Sequence, residues 1–159
     1  MTVFRSKLSL ALGFMALFAA APVQAQEPVS GATLVIHVQD VSPKGGMLRL
    51  GLYDEARYPN DDAEPVAAAD VKAELGENTI TLHNVPVGTY AIEAYQDVNS
   101  NDKMDTSWIG IPQEPFGFSR DAKPVLSKPS FAKVKFDVAA GVNSQTLHLQ
   151  SGVSLIASR

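Results

Sequence analysis

Apolar and polar residues alternate along several short stretches of this chain, a pattern typical of β-strands with one buried face. In the first stretch, Leu34, Ile36 and Val38 fall on the same side. Turn residues at 42–46 lead into a second alternating stretch at 47–53. Because a turn rich in proline and glycine separates the two stretches, we predict that they form a β-hairpin.

The middle of the chain contains three more stretches that we predict as strands. Residues 66–74 are rich in alanine, which also suits a helix, but they run into a turn at 75–78 and we favour a strand. Alternation continues over 79–85. A Pro-Val-Gly turn at 86–88 then leads into 89–96, which is rich in aromatic and β-preferring residues.

The last third of the chain divides into a loop and a second predicted hairpin. Residues 106–130 show no periodicity and contain four prolines, which predicts a long irregular loop. Such loops in compact domains are usually functional. Residues 131–138 and 144–150 alternate again around a turn at 139–143, so we predict a final hairpin. Residues 151–159 are expected to be a tail or an edge strand.

Short strands at intervals of roughly ten residues, with turns between them and no convincing helix, predict an all-β fold. The expected architecture is an antiparallel β-sandwich of about seven strands over residues 32–150. After residue 25, about 134 residues remain, which is the usual size of one domain with its own core.

The first 25 residues have the three parts of a secretion signal. Arg5 and Lys7 give a positive start, residues 8–21 are almost wholly apolar, and small residues form a cleavage site after Ala25. The apolar run is too short for a stable membrane span. We therefore expect an exported protein, periplasmic or secreted, whose mature chain begins with a short polar tail at 26–31 and does not span a membrane.

Composition narrows the classes of function. The chain has no cysteine, which excludes disulfides, a thiol nucleophile and thiolate metal sites. The formal net charge is −4, and loss of Arg5 and Lys7 with the signal would make it −6. An acidic surface without a basic cluster argues against nucleic acid as a partner. Cations and neutral ligands fit this charge balance better.

One stretch, residues 97–105, has the chemistry of a metal site. Side chains that carry oxygen recur there at alternate positions, as in calcium-binding loops, where a tight coil collects carboxylate and amide oxygens. The predicted ligands are three side chains, one backbone carbonyl and a carboxylate that binds directly or through water: Asp97, Asn99, Asn101, Lys103 and Asp105. The predicted cofactor is therefore a structural calcium ion.

The match to calcium-binding loops is partial. Asp102 stands at the sixth position, where glycine is usual, although Asp tolerates a left-handed backbone better than most residues. Trp108 stands at the twelfth, where a bidentate glutamate is usual, so Glu114 or Asp121 would have to fold back as a replacement. The expected affinity is weak, roughly 0.1 to 1 mM. A metal-free turn stays open as the alternative, because Asp and Asn cap turns with their own side chains.

Aromatic residues in the long loop are candidate ligand contacts. Trp108, Phe116 and Phe118 lie near Glu114 and Arg120. Aromatic rings at a surface can stack on sugars or anchor a peptide. The same rings would equally plug the end of the sandwich, because a long loop needs a small core of its own. We retain Trp108, Phe116, Phe118 and Arg120 as candidate contacts.

Motifs of catalysis are weak in this sequence. Ser119 and Ser130 lie in the long loop without a nucleophile-elbow motif around them. We therefore expect a non-catalytic, calcium-stabilised module of the cell envelope that acts as a binding or accessory protein. Its partner would be an envelope protein, a glycan or a peptide, and the alternative is a carbohydrate- or peptide-binding module that uses the aromatics of residues 106–120. A hydrolase is less favoured.

Several runs in combination resemble a known family. They are 85–92 (VPVGTYAI), the acidic stretch 97–105, 110–119 (GIPQEPFGFS) and 128–131 (KPSF). Over about residues 34–149 the chain is similar to the small exported bacterial proteins of domain-of-unknown-function family 2141. The resemblance implies a secreted or periplasmic β-sandwich of immunoglobulin-like or transthyretin-like type with no established activity.

The chain departs from the pattern of that family at three positions. Gln96 stands where a histidine is frequent, Val98 where an acidic residue is usual, and Asp102 where glycine is usual. All three lie in or beside the acidic stretch, so the departures concern the metal site rather than the fold.

Overall fold

The computed structural model of the protein describes residues 31–125 and 127–152. The predicted signal peptide at 1–25 lies outside these residues, as do most of the predicted tails at 26–31 and 151–159. The described residues form eight strands, a 3-10 turn (Ser119–Asp121) and one short α-helix: β1 (Ala32–Val41), β2 (Met47–Tyr53), β3 (Ala67–Lys72), β4 (Gly76–Val85), β5 (Gly88–Asp97), β6 (Phe116–Phe118), α1 (Phe131–Val134), β7 (Phe136–Val138) and β8 (Val142–His148).

The strands form two sheets with an apolar core between them. One sheet has the order β4-β1-β8, and the other has the order β3-β2-β5-β6, with β7 paired to the beginning of β5. Residues from both sheets contribute to one buried cluster, including Leu34 and Ile36 of β1, Leu50 of β2 and Ile92 of β5. The prediction of an all-β sandwich is confirmed, with eight strands in the described part of the chain.

The predicted pairing of β1 with β2 is wrong. β1 lies between β4 and β8, whereas β2 lies between β3 and β5 in the other sheet. The turn at 42–46 therefore carries the chain from one sheet to the other. The buried amide of Gln96 holds this turn, since its Nε2 donates to the carbonyls of Ser42 and Gly45 at 2.9 and 2.6 Å. Alternation shows which face of a strand is buried but does not identify its neighbour.

The predicted C-terminal hairpin is also wrong. Residues 131–134 form α1 rather than a strand, β7 pairs with β5, and β8 pairs with β1 in a parallel direction. The parallel pair is an exception in an otherwise antiparallel sandwich. The loop predicted over 106–130 contains β6 and a 3-10 turn at Ser119–Asp121. Three-residue elements are too short to show a period in the sequence.

The sheet that contains β2 and β5 has a second face, here called the outer face, which points away from the core. Residues paired across neighbouring strands share a face. Two rows of such residues run across β2, β5 and β6: first Arg49, Tyr95 and Phe116, then Gly51, Glu93 and Phe118. Gly51 leaves space for the ring of Tyr53, which would lie only 2.6 Å from a Cβ at that position. The outer face thus gathers charged and aromatic side chains.

Part of the outer face is covered by a small second core. Tyr58, Ala91 and Val134 are buried there. Ser119 connects this core to the sheet, because its buried hydroxyl donates to the carbonyl of Val134 at 2.6 Å and accepts the N–H of Ile92 at 2.9 Å. The part of the outer face that this core does not cover, around Glu93, Tyr95 and Phe116, contains the candidate site.

Candidate functional site

A small hairpin, here called the flap (residues 106–112), stands directly after the acidic stretch. Thr106 and Pro112 form an antiparallel bridge, and the N–H of Ser107 donates to the carbonyl of Ile111 at 2.8 Å. The hydroxyl of Ser107 accepts the N–H of Ile111 at 3.1 Å. Gly110 has a φ of 77°, a left-handed conformation that glycine adopts without strain. The flap is therefore a formed element within the segment predicted to be irregular.

Glu114 fastens the flap to the end of β5. Its buried carboxylate accepts the N–H of Val98 through Oε1 at 2.8 Å and the N–H of Asp105 through Oε2 at 3.0 Å. The N–H of Gln113 also donates to the carbonyl of Asp105 at 2.8 Å. Glu114 thus folds back onto the acidic stretch. Its two oxygens bind backbone N–H groups and brace the base of the flap.

Asp97 is fully buried at the start of the acidic stretch. Its Oδ1 accepts the N–H of Asn101 at 3.0 Å, and its Oδ2 accepts the N–H of Asp102 at 2.9 Å and Nε of Arg49 at 2.8 Å. Burial alone would raise the pKa of Asp97, but the hydrogen bonds from Arg49 and the two backbone N–H groups outweigh it and lower the pKa. Asp97 is therefore charged, and its hydrogen bonds to the N–H groups of Asn101 and Asp102 hold the backbone of the stretch in a tight coil.

Arg49 bonds three carboxylates at once and was missed by sequence reasoning. Besides Asp97, its guanidinium donates to Asp70 at 3.0 Å and to Asp102. The hydrogen bond to Asp97 is the main reason why the pKa of Arg49 is raised, against an opposing effect of burial. Arg49 lies 48 residues before Asp97, and only the pairing of β2 with β5 brings the two together. No local spacing in the sequence carries that information.

Three other predicted ligands, Asn99, Asn101 and Asp105, are hydrogen-bonded to one another. Nδ2 of Asn99 and Nδ2 of Asn101 donate to the carboxylate of Asp105 at 2.7 and 3.1 Å. The N–H of Lys103 donates to Oδ1 of Asn101 at 3.0 Å. Asp102 has a φ of 64°, the left-handed conformation that calcium-binding loops need at the sixth position. The stretch is therefore a closed coil of mutually bonded oxygen and amide groups.

The donor set of this coil fits calcium better than a transition metal. In the described ranges, no three histidine, cysteine, aspartate or glutamate side chains are placed to hold a metal ion. Of the three carboxylates in the coil, Asp97 and Asp102 are bonded to Arg49, which leaves Asp105 and the amides of Asn99 and Asn101 as its other side-chain oxygen donors. Amide and carboxylate oxygens suit hard cations.

A pocket of about 820 Å³ lies on the outer face beside the flap. Its volume falls within the usual range for small-molecule sites. Aromatic residues of the strands and apolar residues of the flap line it together, among them Tyr53, Tyr95, Phe116, Phe118, Ile109 and Ile111. The pocket therefore depends on the flap, which in turn depends on the acidic stretch.

Three charged side chains also line this pocket. Nζ of Lys128 lies 2.5 Å from Oε1 of Glu93 and 2.9 Å from Oδ1 of Asp61, and it stands 4.3 Å from the ring centroid of Tyr58. Burial raises the pKa of Glu93, although Lys128 opposes this. Burial alone would lower the pKa of Lys128, but Glu93 and Asp61 outweigh it and raise the pKa. At neutral pH, Lys128 is therefore a charged ammonium held between two acids.

The structure separates the predicted ligand contacts into two groups. Phe116 is buried and Phe118 half-buried; both line the pocket, with ring centroids 6.0 Å apart. Trp108, at the tip of the flap, is 96% exposed, so it does not plug the sandwich. Arg120 is exposed with a φ of 61° and lies outside the pocket lining. Sequence reasoning missed Glu93, whose signal was a carboxylate within the apolar strand β5.

Comparison with known proteins gives one match. A family model described as "Uncharacterized protein conserved in bacteria (DUF2141)" matches residues 36–146, which include the acidic stretch, the flap and the pocket residues of β2, β5 and β6. No curated protein and no solved structure matches the chain. Among the residues that the structure describes, no helix is long and apolar enough to cross a membrane.

Proposed function

We propose that this chain, which belongs to the DUF2141 family of bacterial proteins, is a non-catalytic, exported binding module of the cell envelope. Its ligand site is the pocket beside the flap, and the acidic stretch binds calcium and holds the flap in place. The observation that supports this most directly is the hairpin wall of an 820 Å³ pocket, fastened at its base by the two hydrogen bonds of Glu114.

The contacts around the pocket support binding rather than catalysis. The hydroxyl of Ser119, a candidate nucleophile, is used by the backbone groups of Ile92 and Val134. Lys128 is a charged ammonium paired with Glu93, so it has no free lone pair with which to act as a nucleophile. Aromatic and apolar walls with a few polar groups are instead the usual lining of a ligand site.

Export is the part of the proposal that rests on sequence alone. The positive start, the apolar run and the small-residue cleavage site within 1–25 support it. The absence of cysteine leaves the fold to be held by its core and its polar contacts, in any redox compartment.

A ligand screen tests the binding role. The mature protein, residues 26–159, is expected to bind a member of a glycan or peptide panel, with a change in the fluorescence of Trp108, the single tryptophan. Tyr95→Ala removes an aromatic wall of the pocket and is expected to weaken that binding by at least about tenfold. Val142→Ala, an exposed position outside the pocket lining, serves as the control. If a ligand binds the Tyr95→Ala variant as tightly as the wild-type protein, the pocket is not its binding site.

Thermal unfolding tests the calcium site. A ligand that binds only the folded state stabilises it by mass action, so 5 mM calcium is expected to add roughly 1–2 kcal/mol relative to a chelator. This corresponds to a rise of about 4–7 °C in Tm. Asp105→Asn keeps the shape of the coil but removes a charged ligand, and it is expected to abolish the rise. An unchanged Tm of the wild-type protein in calcium would count against the site.

A further inference from the structure

Among the residues that the structure describes, the pocket has no unpaired cation to offer a ligand. Lys128 is its only basic side chain among the described lining residues. An ammonium has three N–H donors. Nζ of Lys128 lies near three protein oxygens: the carbonyl of Tyr58 at 2.8 Å, Asp61 at 2.9 Å and Glu93 at 2.5 Å. Nζ donates hydrogen bonds to Tyr58 and Asp61 and is ion-paired with Glu93, so its charge is compensated within the protein and offers little to an anionic ligand.

The pocket does have a free acceptor. Oε1 of Glu93 is buried against Lys128. Oε2 receives no hydrogen bond from the residues that the structure describes, while the Glu93 side chain remains 27% exposed and lines the pocket. With Asp61 and Glu93 against Lys128, the lining carries a formal charge of −1. The unused charge and the unused oxygen both favour a ligand that brings a positive hydrogen-bond donor.

The remaining walls suit the apolar part of such a ligand. The rings of Tyr53, Tyr95 and Phe118 line the same pocket as Glu93, and the faces of aromatic rings attract ammonium and guanidinium groups. At the rim, Ile109 is 58% exposed, and Trp108 beside it is also exposed. An apolar rim beside a lining of net negative charge matches a chain segment in which a basic side chain stands between apolar neighbours.

We infer that the pocket binds the ammonium or guanidinium group of a lysine or arginine side chain in an apolar peptide segment, with Glu93 as its acceptor. This inference rests on the proposed binding function and specifies the ligand class. The charged group of the peptide enters beside Glu93 and the aromatic rings, and its apolar neighbours contact the flap.

A set of three peptides tests the charge preference. The probes are acetyl-Leu-Lys-Ile-amide, the same peptide with Nε-acetyl-lysine, and the same peptide with glutamate in the centre. Calorimetry on the mature protein is expected to show at least about tenfold tighter binding of the lysine peptide than of the acetylated one, which has a similar shape but no charge. Equal binding of the lysine and acetyl-lysine peptides, or preference for glutamate, would overturn the inference.

Substitutions of the two acids in the pocket lining test whether these residues cause the preference for the lysine peptide. Glu93→Gln keeps the shape of the side chain and is expected to weaken lysine-peptide binding about tenfold while changing acetyl-lysine-peptide binding little. Asp61→Asn is a second variant, which is expected to fold normally because the Asp61 side chain is 84% exposed. It is expected to weaken the binding of the lysine peptide about threefold. Asp62→Asn, the adjacent exposed acid outside the lining, is the matched control. Equal affinity of all three variants would contradict the role of the pocket acids.

Backbone resonances separate failure of this inference from failure of the proposed function. Binding of the lysine peptide is expected to shift the amide resonances of Tyr95, Ile109 and Gly110, which line the pocket. If a neutral glycan such as maltotriose shifts these resonances and the lysine peptide does not, the inferred ligand class is wrong but the proposed binding function of the pocket is supported. If neither the peptides nor a broad glycan panel shifts them, both proposals fall.

Discussion

Replacing Glu114 by alanine is expected to lower the free energy of unfolding by about 3 kcal/mol and to release the flap. The change removes a buried charged acceptor and leaves the N–H groups of Val98 and Asp105 without their present partner. Hydrogen bonds to charged groups contribute about 1.5–3 kcal/mol each, and their loss is not fully additive. Chemical denaturation measures the stability, and hydrogen exchange at Ile111 and Gly110 measures the opening of the flap.

The matched control is Gln113→Ala. Gln113 bonds Asp105 through its backbone N–H, so the substitution keeps that contact, and its side chain is exposed. It is expected to change stability by less than about 0.5 kcal/mol. The same exchange rates in the flap for Glu114→Ala and Gln113→Ala would show that the flap does not depend on the brace.

Neutralising Asp97 is expected to make the protein less stable at neutral pH and less sensitive to acid. The folded pKa of Asp97 is lowered from the unfolded value of about 3.9. An acid of this kind stabilises the fold above its unfolded pKa, and that contribution is lost as the pH falls through the folded pKa. In Asp97→Asn the free energy of unfolding should therefore start lower at pH 7 and decline less steeply below about pH 4.

The loss of stability at neutral pH comes from missing hydrogen bonds as well as from the missing charge. Both oxygens of Asp97 are acceptors, Oδ1 for the N–H of Asn101 and Oδ2 for Arg49 and the N–H of Asp102, whereas an amide has a single oxygen. A buried backbone donor left unmatched costs about 1–3 kcal/mol. Asp102→Asn is the comparison, because it also touches Arg49 but its side chain is 78% exposed. Urea denaturation between pH 3 and pH 7 compares the two, and parallel curves for Asp97→Asn and the wild-type protein would contradict the assignment.

The local features of this protein were predictable from local patterns. Alternation located β1, β2 and β5 within a few residues, because a strand with one buried face imposes a period of two on its own sequence. The spacing of Asp97, Asn99 and Asn101 likewise identified a coil, and Asp102 has the left-handed backbone that such a coil needs. Whether calcium binds this coil stays a prediction.

Features that depend on pairing were not predictable. β1 and β2 were predicted as neighbours because they are consecutive in the chain. Instead, the turn at 42–46, which Gln96 holds through two hydrogen bonds, carries the chain from the sheet of β1 to the sheet of β2. Residues 131–134 alternate as a strand would, but they form a helical turn that buries Val134 against the outer face. In both cases the sequence pattern fits two arrangements, and the choice depends on contacts with residues that are distant in the chain.

By itself, the sequence determined the all-β class, the family and the position of the acidic stretch. Tertiary structure alone decided that Arg49 neutralises Asp97, that Glu114 braces the flap and that Glu93 and Lys128 meet in a pocket. The reason is physical. Secondary structure and coil geometry follow from neighbouring residues, whereas an ion pair or a pocket wall requires strands from separate parts of the chain to lie side by side.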